Sequence, residues 1–308
     1  MPKYILDCDT GVDDALAIGI LTALVDEGDI LAITTTYGMA PLEYVTRNTK
    51  YVLQLLNKEN IPVYHGSLNP LARVREYSGN FHGMDGLGNT LGEQGIEALD
   101  DVDAVDKIYQ LINENLGNVK IISTGPLTNI ARLLQKYPDI SEKILDLTIM
   151  GGAFIAEGNV GKFAEANIYV DPEAASVVFA NPVNKVVVPL DVTRKTLLSG
   201  ETIEKWQKSA SSAGQEFGKF VDFYFNAYKK YHPYLKGCAL HDPLAVTLAI
   251  RPDLITEQHA MNVKVDLDES AFARTVEDLE SEKEKDASIV LDVKIKVFEQ
   301  LFVDSLPF

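Results

Sequence analysis

Short apolar runs alternate with stretches of helical spacing along most of the chain. Tyr4–Leu6 reads as a buried strand, and Ala15–Ile18 open a helix soon after it. Ile30–Tyr37 is apolar and β-branched and stops at Gly38. Pro41–Asn57 then carries apolar residues at helical spacing. Ile61–Tyr64 is a short strand that ends in His65 and Gly66. Helices follow at Asp103–Leu116, Pro126–Lys136 and Pro172–Ala180, and strands at Val119–Ser123, Leu145–Met150 and Lys185–Leu190. This alternation predicts βαβ units with right-handed crossovers. The fold class is α/β: a mostly parallel central sheet with flanking helices, Rossmann-like and doubly wound.

Two regions break the rhythm. Asn69–Leu99 is long, glycine-rich and without a periodic pattern, as expected of a functional loop. Glu201–Lys236 is helical and rich in aromatics, including Phe223, Tyr224, Tyr228 and Tyr231. From Ala260 onward come short strands (NVKVDL, SIVLDV) and a closing helix, Lys294–Val303. The charged run Glu277–Asp286 reads as a solvated loop. No repeat and no linker divides the chain, so residues 1–308 are expected to form a single domain with helical and small β additions.

Composition narrows the function. With 46% hydrophobic and 24% charged residues the chain is an ordinary globular protein. A net charge of −17 argues against nucleic-acid partners and anionic membrane surfaces. Its two cysteines, Cys8 and Cys238, make no disulfide framework and point to the cytoplasm. The N-terminus enters a strand at once, with no apolar signal segment, and no run is long enough to span a bilayer.

The chemistry concentrates in Tyr4–Ile18, YILDCDTGVDDALAI. A strand that ends in Asp7 and Asp9, turns at Thr10-Gly11 and enters a helix at Asp13-Asp14 puts carboxylates at the carboxyl edge of a sheet. Helix capping accounts for one or two such acids, not four. Four neighbouring carboxylates repel one another unless protons or a cation neutralise them, and an all-oxygen set suits Ca²⁺ or Mg²⁺. Three more polar clusters fall near strand ends. In STGPLTN, Thr124 precedes a Gly-Pro turn and its carbonyl is open to a ligand. In MGGAFIAEGNVGKFAEAN, Asn159, Glu165 and Asn167 suit a ligand with several hydroxyls, although turn chemistry alone would account for them. In CALHDPLAV, Asp242 stands at a helix start beside His241, where capping is the plain alternative.

Taken together these stretches resemble the inosine-uridine preferring nucleoside hydrolase family. The opening DxDxGxDD is matched from Asp7 to Asp14. The likeness continues in order through HGMDGLG, TGPLTN, MGGAF, EANIYVDPEAA and HDPLA. The resemblance implies hydrolysis of the N-glycosidic bond of ribonucleosides to ribose and free base, with one Ca²⁺ per subunit. It implies Asp9, Asp14, Asp242 and the Thr124 carbonyl as calcium ligands, and Asp9 as the base acting on the attacking water. Asp13, Asn159, Glu165 and Asn167 would hold the ribose, Met150 would line the sugar site, and Asp7 would support from behind. His82 and His241 would face the nucleobase, with His241 as proton donor. The family usually forms homodimers or homotetramers.

Two positions depart from the family pattern. Met39 stands where a polar residue is usual, and Ala166 where Phe is common. Both bear on substrate preference and rate. Two other readings stay open. DCDTG also matches the DxDxT opening of haloacid-dehalogenase-type phosphohydrolases, with Asp7 as nucleophile and Mg²⁺ as cation. A binding protein that has lost turnover is the third.

Overall fold

In the computed structural model, which describes residues 1–99, 101–306 and 308, eight strands form one sheet. Along the chain the strands are β1 (Lys3–Cys8), β2 (Ile30–Thr35), β3 (Val63–His65), β4 (Val119–Ser123), β5 (Asp146–Met150), β6 (Lys185–Val188), β7 (Leu197–Leu198), β8 (Cys238–Ala239), β9 (Ile255–Met261), β10 (Val263–Val265), β11 (Thr275–Glu277) and β12 (Ala287–Val293). The helices are α1 (Val12–Leu24), α2 (Leu42–Leu55), α3 (Ala104–Glu114), α4 (Thr128–Lys136), α5 (Ala166–Val170), α6 (Pro172–Ala180), α7 (Leu190–Thr193), α8 (Gly200–Gln207), α9 (Ser212–Tyr231), α10 (His241–Ile250) and α11 (Ile295–Ser305).

The sheet order is β3-β2-β1-β4-β5-β6-β12-β9, parallel except for the last pair. Successive residues of each strand point to opposite faces, so one strand feeds two cores. Leu6, Ile122, Val188 and Val290 pack with α1, α9, α10 and α11. Ile5, Ile121, Val187 and Ile289 pack with α3, α4 and α6. This is the doubly wound arrangement expected from the alternation. α1 is apolar almost all round because it lies between the sheet and the outer helices, and its residues from Val12 to Leu21 are all buried.

The order places a topological switch between β1 and β4. The chain winds outward from β1 to β2 and β3, then returns to β4 on the other side of β1. The loops after β1 and β4 therefore diverge and leave a crevice above their carboxyl ends.

Three elements differ from the pattern-based expectation. The helical stretch from Glu201 to Lys236 is two helices, broken at Lys208–Ser211, where Ser211 caps α9 through a hydrogen bond from the Gly214 amide. Serines compete for backbone partners and end helices readily. Strand β9 carries no apolar alternation, because it is the sheet edge and most of its residues are exposed. The short helix α5 grows from the cap that Glu165 provides. Among the described residues no helix is long and apolar enough to cross a membrane.

One buried charge sits at the foot of β6. Lys185 Nζ donates to the Asn181 and Val183 carbonyls at 2.6 Å each and lies 3.1 Å from Asp286 Oδ1. Burial pulls its pKa down from 10.5 to about 8. The unfolded chain therefore binds the extra proton between those two values, and this group makes stability rise with pH across that window. Lys185→Met leaves Asp286 and two carbonyls short of a partner. It should cost about 3 kcal/mol in urea unfolding near neutral pH and flatten the rise above pH 8. An unchanged midpoint, or an unchanged slope between those pH values, would contradict this.

Candidate active site

β1 ends at Cys8, and Asp9-Thr10-Gly11 leads into α1. Asp13 and Asp14 lie in the first turn of α1, and Asp242 in the first turn of α10. The two helices pack together, so their positive ends meet where these carboxylates converge. Carboxylate oxygens of Asp13, Asp14 and Asp242 lie within 4.8 Å of one another, and all three residues are buried. A hard cation about 2.4 Å from each oxygen spans such a set. The donors present therefore fit a divalent cation.

Asp9 sits beside this trio rather than in it. Its Oδ2 accepts the Met39 N–H at 2.8 Å. The carboxylate fits there only because Gly38 and Gly125 flank it. A Cβ on Gly38 would overlap Asp9 Oδ2, and one on Gly125 would stand 2.8 Å from Oδ1. Met39 thus contributes its backbone amide, whatever its side chain lacks. Asp14 Oδ2 accepts the Gly11 N–H at 2.9 Å, and Oδ1 accepts the Thr124 hydroxyl at 2.7 Å.

Burial raises every one of these carboxyls. Asp13 is pushed up to about 6 and Asp14 to about 7. Asp9 and Asp242 go well above the usual carboxylate range, with repulsion from their neighbours adding to burial. Arg75, which donates twice to the Gly38 carbonyl, relieves Asp9 only in part. Asp7 lies beneath, wholly buried. Its Oδ1 accepts Thr34 Oγ1 at 2.7 Å and Asn129 Nδ2 at 2.8 Å.

A second wall comes from the segment after β5. Glu165 caps α5: its Oε1 accepts the Asn167 N–H at 2.9 Å, and its Oε2 accepts the Gly152 and Ile168 N–H groups at 3.2 Å each. Burial lifts its pKa to about 7. Asn167 Nδ2 donates to the Thr124 carbonyl at 2.7 Å and to the Met150 carbonyl at 3.2 Å. The Thr124 carbonyl therefore has one of its two lone pairs engaged and one open. Asn159 lies at the exposed rim.

The opposite wall is aromatic. His82 Nδ1 accepts the Val12 N–H at 3.1 Å and lies 3.7 Å from Asp13 Oδ1. His241 is hydrogen-bonded on both sides, to Thr193 Oγ1 at 2.6 Å through Nδ1 and to the Tyr228 hydroxyl at 2.7 Å through Nε2. Burial, with help from Arg194, pulls its pKa down to about 3, and burial takes His82 to about 4. His241 is thus held as a neutral ring in a chain of hydroxyls. Tyr224 completes the wall, with its hydroxyl 3.3 Å from Asp13 Oδ2.

These walls enclose a cavity of about 810 Å³ lined by every predicted site residue except Asp7. It is also lined by Arg75, Phe81, Arg194, Tyr224 and Tyr228. Tyr224 and Tyr228 were legible as an i, i+4 aromatic pair. The arginines gave no sequence signal.

The model of the family described as inosine-uridine preferring nucleoside hydrolase matches residues 4–300. The chain belongs to that family. It is therefore an N-glycosyl hydrolase of nucleosides. This nucleoside hydrolase is 34% identical over 306 residues to the pyrimidine-specific ribonucleoside hydrolase RihA of Escherichia coli K12, covering 99% of this chain and 98% of that one. Its fold matches the purine-preferring ribonucleoside hydrolase of Gardnerella vaginalis with a TM-score of 0.93 at 34% identity, over 99% and 98% of the two chains. It matches the plant nucleoside hydrolase PpNRh1 with a TM-score of 0.91 at 30% identity, again over 99% and 98%.

A cation that binds only the folded carboxylate set stabilises the fold by mass action, by about 2.7 kcal/mol at a hundredfold excess over Kd. Chelator-treated protein should therefore gain melting temperature when calcium is added back, and Asp242→Asn should lose most of that gain. An equal Tm with and without the cation, read by calorimetry, would exclude a cation site here.

Proposed function

We propose that this nucleoside hydrolase cleaves ribonucleosides, purine, pyrimidine or both, to ribose and free base with one Ca²⁺ per subunit. The observation that carries the reading is the arrangement itself: four buried carboxylates face a Tyr–His wall across one cavity at the switch point. Asp9, Asp14, Asp242 and the Thr124 carbonyl would hold the calcium. When bound, it would neutralise the carboxylates and lower the pKa of a water.

The chain's own residues do the rest. Asp9 takes a proton from the attacking water. Asp13, Asn159, Glu165 and Asn167 grip the ribose hydroxyls, with Met150 lining the sugar. The carboxylates face the positive charge that develops on the ribosyl ring as the bond breaks. Asp7, tied to Thr34 and Asn129, braces the end of β1 behind them. His82 faces the base. His241 takes up a proton from solvent and passes it through the Tyr228 hydroxyl, which bonds the ring at Nε2 and lines the cavity, to the departing base, returning to its neutral form. The chain acts as a single domain over residues 1–308, assembles as a homodimer or homotetramer, and serves nucleoside salvage or catabolism in the cytoplasm.

The test of the reading is ribose release from inosine, uridine, cytidine, adenosine and guanosine, with and without chelator. Release from at least one that calcium restores is expected, and release from none defeats the proposal. 2′-Deoxynucleosides should lose about 10²-fold or more in kcat/KM, because a buried polar group is left unpaired.

Two further outcomes separate the roles. Asp13→Asn should keep bound calcium, measured by metal analysis, while ribose affinity falls. Loss of the metal instead would place Asp13 among the ligands, where its convergence with Asp14 and Asp242 makes it the alternative. His241→Ala and Tyr228→Phe should each slow natural nucleosides by about 10²–10⁴-fold and largely spare a nitrophenyl riboside, whose leaving group needs no proton. Equal slowing of both substrates would reduce the pair to a structural role.

A further inference from the structure

His82 reaches the cavity on a loop, Gly79–Gln94, that contains no helix or strand. One buried carboxylate shapes this loop from inside. Asp85 Oδ1 accepts the Leu87 and Asn89 N–H groups at 2.8 Å, and Oδ2 accepts those of Leu91 and Gly92 at 2.9 Å. Arg47, buried on α2, collects the loop's carbonyls. Its Nη1 donates to the Gly92 carbonyl at 3.0 Å and the Gln94 carbonyl at 2.7 Å, and its Nη2 to the Asp85 carbonyl at 3.3 Å.

The adjacent Asn48 ties this assembly to the catalytic turn. Its Nδ2 donates to the Asp85 carbonyl at 2.8 Å and to the Thr10 carbonyl, between Asp9 and Gly11, at 3.0 Å. Gly86, at φ +82°, is the turn that lets the backbone pass over Asn48 Nδ2. The same turn receives His82. A Cβ on Gly11 would stand 2.6 Å from His82 Nδ1, so the ring docks on bare backbone. A histidine whose Nδ1 accepts the Val12 N–H can donate only through Nε2.

We propose that Asp85, with Arg47 and Asn48, is the positioning device for His82. It holds the loop in the one shape that seats the ring against the Val12 N–H and turns Nε2–H toward the nucleobase. Asp85 touches no substrate and acts through His82. The inference rests on the reading of His82 as base-facing.

The loop's order is read directly by amide hydrogen exchange on the full-length protein. In Asp85→Asn the side-chain amide meets two N–H donors instead of accepting them. Peptides covering 79–94 should exchange about tenfold faster or more, while those from β1 and β4 keep their rates. Unchanged exchange in 79–94 overturns the proposal, and faster exchange everywhere assigns Asp85 to global stability instead.

The functional arm is a double-mutant cycle. Asp85→Asn should lower kcat/KM for the best nucleoside by about 10²-fold, as expected for a misplaced contact. In the His82→Ala background it should lower it hardly at all. Equal losses in both backgrounds overturn the positioning role. If the wild-type enzyme releases ribose from no nucleoside, the proposed function has failed, and the exchange experiment still decides the docking. Should Asp85→Asn fail to fold, Arg47→Lys goes through both arms: it keeps a charge but loses the fork to Gly92 and Gln94.

Discussion

The structure depends on holding Asp9, Asp13, Asp14 and Asp242 together out of water. Each would be costly to bury ionised and alone, by several kcal/mol even after relaxation. Within a few ångströms of one another, the repulsion compounds the desolvation. The fold answers with local donors: the Gly11 and Met39 amides, the Thr124 and Tyr224 hydroxyls, and the N-termini of α1 and α10. Arg75 adds a charge that partly relieves Asp9. Such a set of carboxylates could hold a divalent cation, and the proposed reaction would place a developing positive charge against it.

The other buried acids nearby show the contrast. Asp85 and Glu165, and with them the half-buried Asp191, are each surrounded by backbone N–H groups, three or four apiece. Asp171 accepts two hydroxyls and two amides. These four shape the loops at the sheet's carboxyl edge. The molecule thus uses buried carboxylates in two ways. Satisfied by N–H groups, they order irregular backbone; set against one another, they make the reactive centre. A net charge of −17 conceals that division.

This explains what was legible in the sequence. The parallel strands are buried on both faces and read as apolar runs, so β1, β2, β4, β5 and β6 stood out. The acidic cluster stood out because caps do not need so many acids. Edge strand β9 did not, since exposure removes the apolar signal. Asp9 and Asp13 could not be told apart by spacing. The Met39 amide and the bare backbone at Gly38 and Gly125 that seat the Asp9 carboxylate come from distant positions in the chain. The neutrality of His241 was equally hidden. Its burial and its partners Thr193 and Tyr228 belong to α7 and α9, and nothing in HDPLA announces them. Asp85 was visible only as a letter in HGMDGLG.

The two ends of the cavity are built differently, and that has a consequence for specificity. The end proposed for the sugar is made from strand ends and helix N-termini: Asp13 and Asp14 on α1, Glu165 and Asn167 on α5, Asp242 on α10. Moving any of them moves the sheet edge. The end proposed for the base is made from a loop and two helices that meet through side chains, with Phe81 packed against Tyr224, Tyr228 and Tyr231. It can change by substitution without disturbing the sheet. Relatives of the same 34% identity to this chain carry opposite names, one pyrimidine-specific and one purine-preferring. The same fold, matched over nearly the whole chain, thus accompanies different base preferences among its relatives.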